Sequence, residues 1–197
     1  FEDRDFGDIV LSAKAHDVGV TVDAYRRLSR ELPSIPLHLG ITEAGTAFQG
    51  TIKSSVGLGI LLSEGIGDTL RVSLTADPAE EVTVAWEILR ALGLRRRGPE
   101  IISGPTCGRT EIDLFGLARA VEDALAESTA DIKVAVMGCV VNGPGEAREA
   151  DLGVAGGRDK GIIFRKGEVI RSVKGQDALL AAFMEELQRL LKEKETH

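Results

Sequence analysis

The sequence predicts an α/β protein in two parts, and three observations carry that expectation. Short apolar segments alternate with amphipathic stretches as far as Gly93. A charged break, Leu94-Arg95-Arg96-Arg97-Gly98-Pro99, then interrupts the alternation. Beyond it, two strand-like segments each run into a loop rich in glycine or proline that carries a cysteine. Strand–helix repeats joined by short loops argue for a parallel sheet covered by helices.

Taken in order, residues 9–13 read as a strand and residues 22–32 as a helix stopped by Pro33. Residues 36–41 form the second strand, with a helix over about 51–64. Residues 69–74 form the third. The next helix opens on Asp77 as N-cap, Pro78 at its first position and Glu80 at the third, and closes at Gly93. It sets Val82, Trp86, Leu89 and Leu92 near one face. Three such repeats are too few to close an eight-stranded barrel, which takes about 250 residues. They fit the last portion of a barrel or an open sheet, and the pattern does not choose. The arginine run reads as a solvated linker between domains of residues 1–96 and 97–197.

The second part has a different grammar. A short strand over 101–103 is followed by a helix over 114–127 and a strand over 133–137. Residues 162–164 and 169–170 flank Lys166-Gly167 as a hairpin. The last helix repeats Leu180, Phe183, Met184, Leu187, Leu190 and Leu191 as a core face, and residues 192–197 read as a frayed tail. The chain opens on Phe1, and residues 8–12 already follow a buried-strand pattern, which reads as entry into the middle of a fold; a processed or tagged terminus is the alternative.

Composition narrows the function classes. With 43% hydrophobic and 28% charged residues the chain is ordinary for a globular protein. Twenty-four basic against 31 acidic residues give a net charge of -7, so no overall basic field points to nucleic acid. No apolar run is long enough to span a bilayer, so no membrane is expected. Two well-separated cysteines are too few for a disulfide framework and suit a reducing cytoplasm.

Both cysteines, Cys107 and Cys139, follow a strand end inside a flexible loop. Such loops let backbone approach a bulky ligand closely, whereas ordinary buried cysteine is the bland alternative. Glu146 stands seven residues after Cys139, where a carboxylate caps a helix or serves as a hard oxygen ligand beside soft thiolates. In the first part, His38 lies inside a strand, the usual place of a satisfied core histidine. Glu43 stands past the end of that strand and Lys14 past the end of the first, while Arg71 and Ser73 belong to the third. If the strands are parallel, Lys14, Glu43 and Ser73 share one rim. A lysine, a hydroxyl and a basic neighbourhood there suit a phosphorylated ligand.

Longer segments carry a resemblance. Residues 137–147, from Met137 through Cys139, Asn142 and Glu146 to Ala147, resemble the cluster-binding segment of the 4-hydroxy-3-methylbut-2-enyl diphosphate synthase family. Residues 105–109, around Cys107, resemble its other cluster segment. Residues 37–45 and 57–74 are also similar to that family, so the resemblance runs over essentially the whole chain. It implies that residues 1–96 are the last strand–helix units of a (β/α)8 barrel that binds substrate. Residues 97–197 would then form a smaller α/β iron–sulfur cluster domain. The implied reaction is the reductive ring opening and dehydroxylation of 2-C-methyl-D-erythritol 2,4-cyclodiphosphate, with ferredoxin or flavodoxin as electron donor and a 4Fe–4S cluster as cofactor. The cluster ligands implied are Cys107, Cys139 and Glu146, with Glu43 as proton donor. Lys14, His38, Ser73 and Asn142 are implied to contact substrate, and a homodimer is expected. The sequence departs from the family at one point: Gly104 stands where a further cluster cysteine belongs. The expectation is a cluster that binds poorly or is defective. A phosphate-binding module without redox activity, and a stand-alone interaction domain, are the competing readings.

Overall fold

The computed structural model describes residues 1–104, 112–126, 128–141, 143–157 and 160–195. It divides into two compact units, Phe1–Arg96 and Arg97–His197.

In the first unit, helix α1 (Val18–Glu31) starts where Asp17 accepts the Val20 N–H at 2.8 Å, a side-chain cap for one of the helix's orphan donors. Strand β1 (His38–Gly40) pairs in parallel with β2 (Thr69–Arg71), His38 facing Thr69 and Gly40 facing Arg71. Helix α2 (Ala47–Ser63) connects them and buries Gly50, Ser54, Gly57, Leu58 and Leu61. Helix α3 (Pro78–Ala91) begins at the expected Asp77 cap, which accepts from Ala79 N–H at 2.9 Å. Tyr25, Leu37, Leu39, Leu58, Leu61, Val72 and Ile88 form the core of this unit.

Two expectations for this unit need correction. The strand expected over residues 9–13 reduces to a single parallel bridge between Leu11 and Leu37. Val10 is 58% exposed, so the apolar run there is not buried within the unit. The inner face of α3 is Val84, Ala85 and Ile88, joined by Leu92 of the expected stripe, whereas Val82 is exposed. Both sets have helical spacing; contact with α2 and β2 decides which residues pack inward.

The second unit is a five-stranded mixed sheet in the order β3 (Glu100–Ser103), β4 (Lys133–Met137), β5 (Leu152–Gly156), β6 (Lys160–Arg165), β7 (Glu168–Lys174). The first three strands run parallel, and the last three form an antiparallel meander. Helix α4 (Leu114–Leu125), capped by Asp113 on Gly116 N–H at 2.9 Å, crosses from β3 to β4. A single turn, α5 (Gly143–Glu146), lies in the crossover from β4 to β5. Helix α6 (Gln176–Glu195) ends the described chain.

Strand β4 is buried on both faces, and its alternation separates two cores. Val134 and Val136 join α4 and α6, with Leu179, Ala182, Phe183 and Leu187 on the helix side. Ala135 and Met137 face the opposite way, towards Ala147, Ala150, Ala155 and Phe164. Parallel strands need long crossovers, and this one lays α5 across the second face. Strand β5 is missing from the sequence expectation because Leu152-Gly153-Val154-Ala155-Gly156 has few β-favouring side chains. Burial against Phe164, opposite Gly153, holds it in the sheet. The expected hairpin is present, with Lys166 and Gly167 both at positive φ, the geometry of a two-residue turn. Residues 192–195, expected to fray, continue α6.

Candidate functional site

The first cluster of candidate side chains lies along β1 and β2 and past the Leu11 bridge in the first unit. Lys14 follows the Leu11 bridge and lays its side chain over Gly40. A methyl group on Gly40 would come within 2.8 Å of Lys14 Cε and 3.0 Å of the Arg71 carbonyl oxygen. Only glycine leaves room for the lysine stem to cross the strand there. His38 Nδ1 lies 2.8 Å from Thr69 Oγ1, its partner in register on β2. The His38 backbone is tied as well: its N–H donates to Leu11 O at 2.8 Å. Its carbonyl accepts from Tyr25 Oη at 2.6 Å and Ser12 Oγ at 3.0 Å.

Charge ties three of these side chains together. Burial, then the positive charge of Arg71, hold the Lys14 ammonium below its ordinary pKa. Burial, then Lys14, then Arg71, hold the His38 imidazole below its own. Two cations and a histidine disfavoured as a third make this a positively charged rim. Arg71, the last residue of β2, is exposed, and Ser73 lies two residues beyond it. The sequence marks Arg71 only as a strand residue; alternation with Thr69 on β2 is the signal available for it. Glu43 is exposed, three residues past β1, with φ of 50°. A left-handed glutamate is uncommon and costs about 1–3 kcal/mol, a strain that tends to collect at functional positions. Lys14, His38 and Arg71 are thus gathered, whereas Glu43 and Ser73 stand beyond the ends of β1 and β2.

The second cluster belongs to the other unit. Gly104 follows β3 and continues the ladder, its N–H donating to Val136 O at 3.2 Å. Cys139, a free and half-buried thiol, stands two residues after the end of β4. Its carbonyl accepts the Gly143 N–H at 3.0 Å, which leads the chain into α5, where Glu146 is exposed. Gly143 is buried against the sheet: a methyl there would meet Ala155 Cβ at 2.8 Å and Met137 Cβ at 3.0 Å. A methyl on Gly104 would meet Met137 Sδ at 3.1 Å, the movable end of a flexible side chain. Cys107 and Asn142 lie outside the described residues. Among the described residues no three His, Cys, Asp or Glu side chains gather as a metal site.

Comparison with known proteins assigns both units. Residues 1–86 match the GcpE TIM-barrel domain, and residues 100–189 match the GcpE protein C-terminal domain. A 4-hydroxy-3-methylbut-2-en-1-yl diphosphate synthase (flavodoxin) of Lawsonia intracellularis is 66% identical over 195 residues, 99% of this chain and 54% of the relative. The enzyme of the same description from Nitratidesulfovibrio vulgaris is 67% identical over 190 residues, 96% of this chain and 49% of the relative. That of Maridesulfovibrio salexigens is 63% identical over 193 residues, 98% of this chain and 54% of the relative. The chain spans about half the length of the curated relatives it matches. With two adjoining domains matched in order and nearly every residue aligned, the chain belongs to the GcpE family.

Proposed function

We propose that this chain is the C-terminal half of an enzyme that reduces 2-C-methyl-D-erythritol 2,4-cyclodiphosphate to 4-hydroxy-3-methylbut-2-enyl diphosphate. The observation that supports this best is the match of both units, in order, to enzymes of that product's name. In this reading residues 1–96 bind substrate and residues 97–197 form the cluster domain. The reaction takes up two electrons and two protons, breaks the ring C–O bond to phosphate and releases the second oxygen as water. The rim residues Lys14, His38 and Arg71, with Ser73, hold the diphosphate; Glu43 supplies a proton; Asn142 is a further substrate contact by resemblance to the family. The electrons come from flavodoxin, the donor in the relatives' names, or a ferredoxin, and the family resemblance implies a homodimer. Among the described residues no helix is long and apolar enough to cross a membrane. A reducing cytoplasm suits its thiols.

A 4Fe–4S cluster is the cofactor this reading requires, and when bound it delivers the electrons. The donor set present does not fit a fully ligated cluster. Cys107, Cys139 and Glu146 supply two thiolates and a carboxylate, and Gly104 supplies nothing. We infer that this chain is impaired as a cluster protein. Iron and sulfide are to be counted after anaerobic reconstitution of the chain and of Gly104→Cys. The expected result is a labile, substoichiometric cluster in the unaltered chain and about four irons per chain in the variant. A stable cluster with about four irons in the unaltered chain would refute the impairment. The Met137 thioether beside Gly104 is free to turn away from a new side chain, so the variant is expected to fold.

Gly104 also favours a second reading, a phosphate-binding module without redox activity. Pyrophosphate binding by the reconstituted chain, with no iron retained by either form, would favour it.

A further inference from the structure

Lys14 is useful to the rim only if it is held in place, yet it lies where its strand has already left the sheet. On its N-terminal side the ladder bonds are made by Leu11, whose N–H donates to Pro36 O at 2.9 Å and whose carbonyl accepts the His38 N–H. Past Lys14 the Ala15 carbonyl still accepts the Thr42 N–H at 3.1 Å, whereas the N–H groups on either side of Lys14 take their partners from helix α1. The Ala13 N–H donates to Tyr25 Oη at 3.1 Å, and the Ala15 N–H donates to Thr21 Oγ1 at 3.3 Å. The two residues flanking Lys14 are therefore both held by hydroxyls from one helix.

Thr21 and Tyr25 are four apart, so they share a face of α1. They are 1% and 0% exposed, so bulk water does not compete for these bonds. Each hydroxyl is also fixed by its own donation. Thr21 Oγ1 donates to Asp17 O at 2.8 Å, and Tyr25 Oη donates to His38 O at 2.6 Å. Tyr25 therefore bridges the Lys14 segment to the strand bearing His38. A phenylalanine would fill the same space in the core, so the hydroxyl's contribution lies in these bonds rather than in packing.

We propose that the buried Thr21 and Tyr25 hydroxyls are positioning residues, setting Lys14 and His38 in register to bind a phosphate or diphosphate group. The proposal rests on the reading of this rim as a phosphate site. Neither residue touches the anion; both act through the backbone on either side of Lys14.

The test uses the whole chain with Tyr25→Phe, Thr21→Val and Thr21→Ser. Lysines are ¹³C-dimethylated, and the Lys14 signal is identified by its loss in Lys14→Arg. Tyr25→Phe and Thr21→Val are expected to shift the Lys14 resonance and return its titration towards that of an ordinary lysine; Thr21→Ser, which keeps the hydroxyl, is expected to restore it. Pyrophosphate affinity, measured by calorimetry, is expected to fall about tenfold in the first two variants and to recover in the third. An unmoved Lys14 resonance in both Tyr25→Phe and Thr21→Val, with only the thermal midpoint lowered, would overturn the proposal. Lys14→Met separates the two ideas. If it binds pyrophosphate as tightly as the parent, the phosphate reading fails while the Lys14 resonance still decides the positioning role. Should Tyr25→Phe not fold, the Thr21→Val and Thr21→Ser pair carries the same comparison.

Discussion

Gly143 offers a test of how tightly the Cys139–Glu146 segment is built onto its sheet. In Gly143→Ala the new methyl would lie 2.8 Å from Ala155 Cβ and 3.0 Å from Met137 Cβ. Both obstacles are Cβ atoms fixed to strands β5 and β4, so no side-chain rotation relieves them. The nearer gap has to widen by 0.6 Å to reach the 3.4 Å at which ordinary contact begins. Because α5 is one turn, it moves as a piece, carrying Glu146 and loosening Ala147, which is 1% exposed. Overpacking of this kind costs about 1–3 kcal/mol. The gain from replacing a helical glycine, at most about 1 kcal/mol, offsets part of it. For a unit of about 100 residues, each kcal/mol lowers the melting midpoint by about 4–8 °C. Gly145→Ala is the matched control, since a methyl there meets nothing within 4 Å on the same turn. Calorimetry and amide exchange at Gly143 and Ala147 would be measured in both. The expected result is a lower midpoint and faster exchange in Gly143→Ala alone. Equal midpoints and equal protection in the two variants would refute the close-approach argument.

Two further predictions follow from other contacts. His38 should titrate below the 6.5 of an ordinary histidine, because burial and then Lys14 and Arg71 disfavour its charged form. The stabilising effect of its neutrality is present above 6.5 and lost as pH falls through the lower folded value. An NMR titration should show the value rising in Lys14→Met and on adding pyrophosphate; no movement in either would break the link between these groups. Asp113→Ala removes the cap that receives the Gly116 N–H and should cost about 1 kcal/mol of the second unit's stability, read from urea denaturation. Asp113→Asn, which keeps an accepting oxygen, should recover most of it.

Much of this protein was legible in the order of its residues. Alternating apolar segments marked the strand–helix units, and Asp77-Pro78 with Gly93 marked both ends of α3, because capping is local chemistry. Lys166-Gly167 marked the hairpin for the same reason. The long segments around Cys139 and Glu146 carried the family resemblance, and Gly104 stood out as the one departure from its pattern. Other features depend on partners distant in the chain. Strand β5 has little propensity of its own and exists because β4 and β6 bury it. Which residues of α3 pack inward was decided by contact with α2 and β2. The rim around Lys14 could be sketched from strand ends. Only tertiary structure laid its side chain over Gly40, beside Arg71, and showed its neighbours held by Thr21 and Tyr25. Periodicity and caps are written within a few residues, whereas a hydroxyl reaching another segment's backbone depends on the packing of the whole unit.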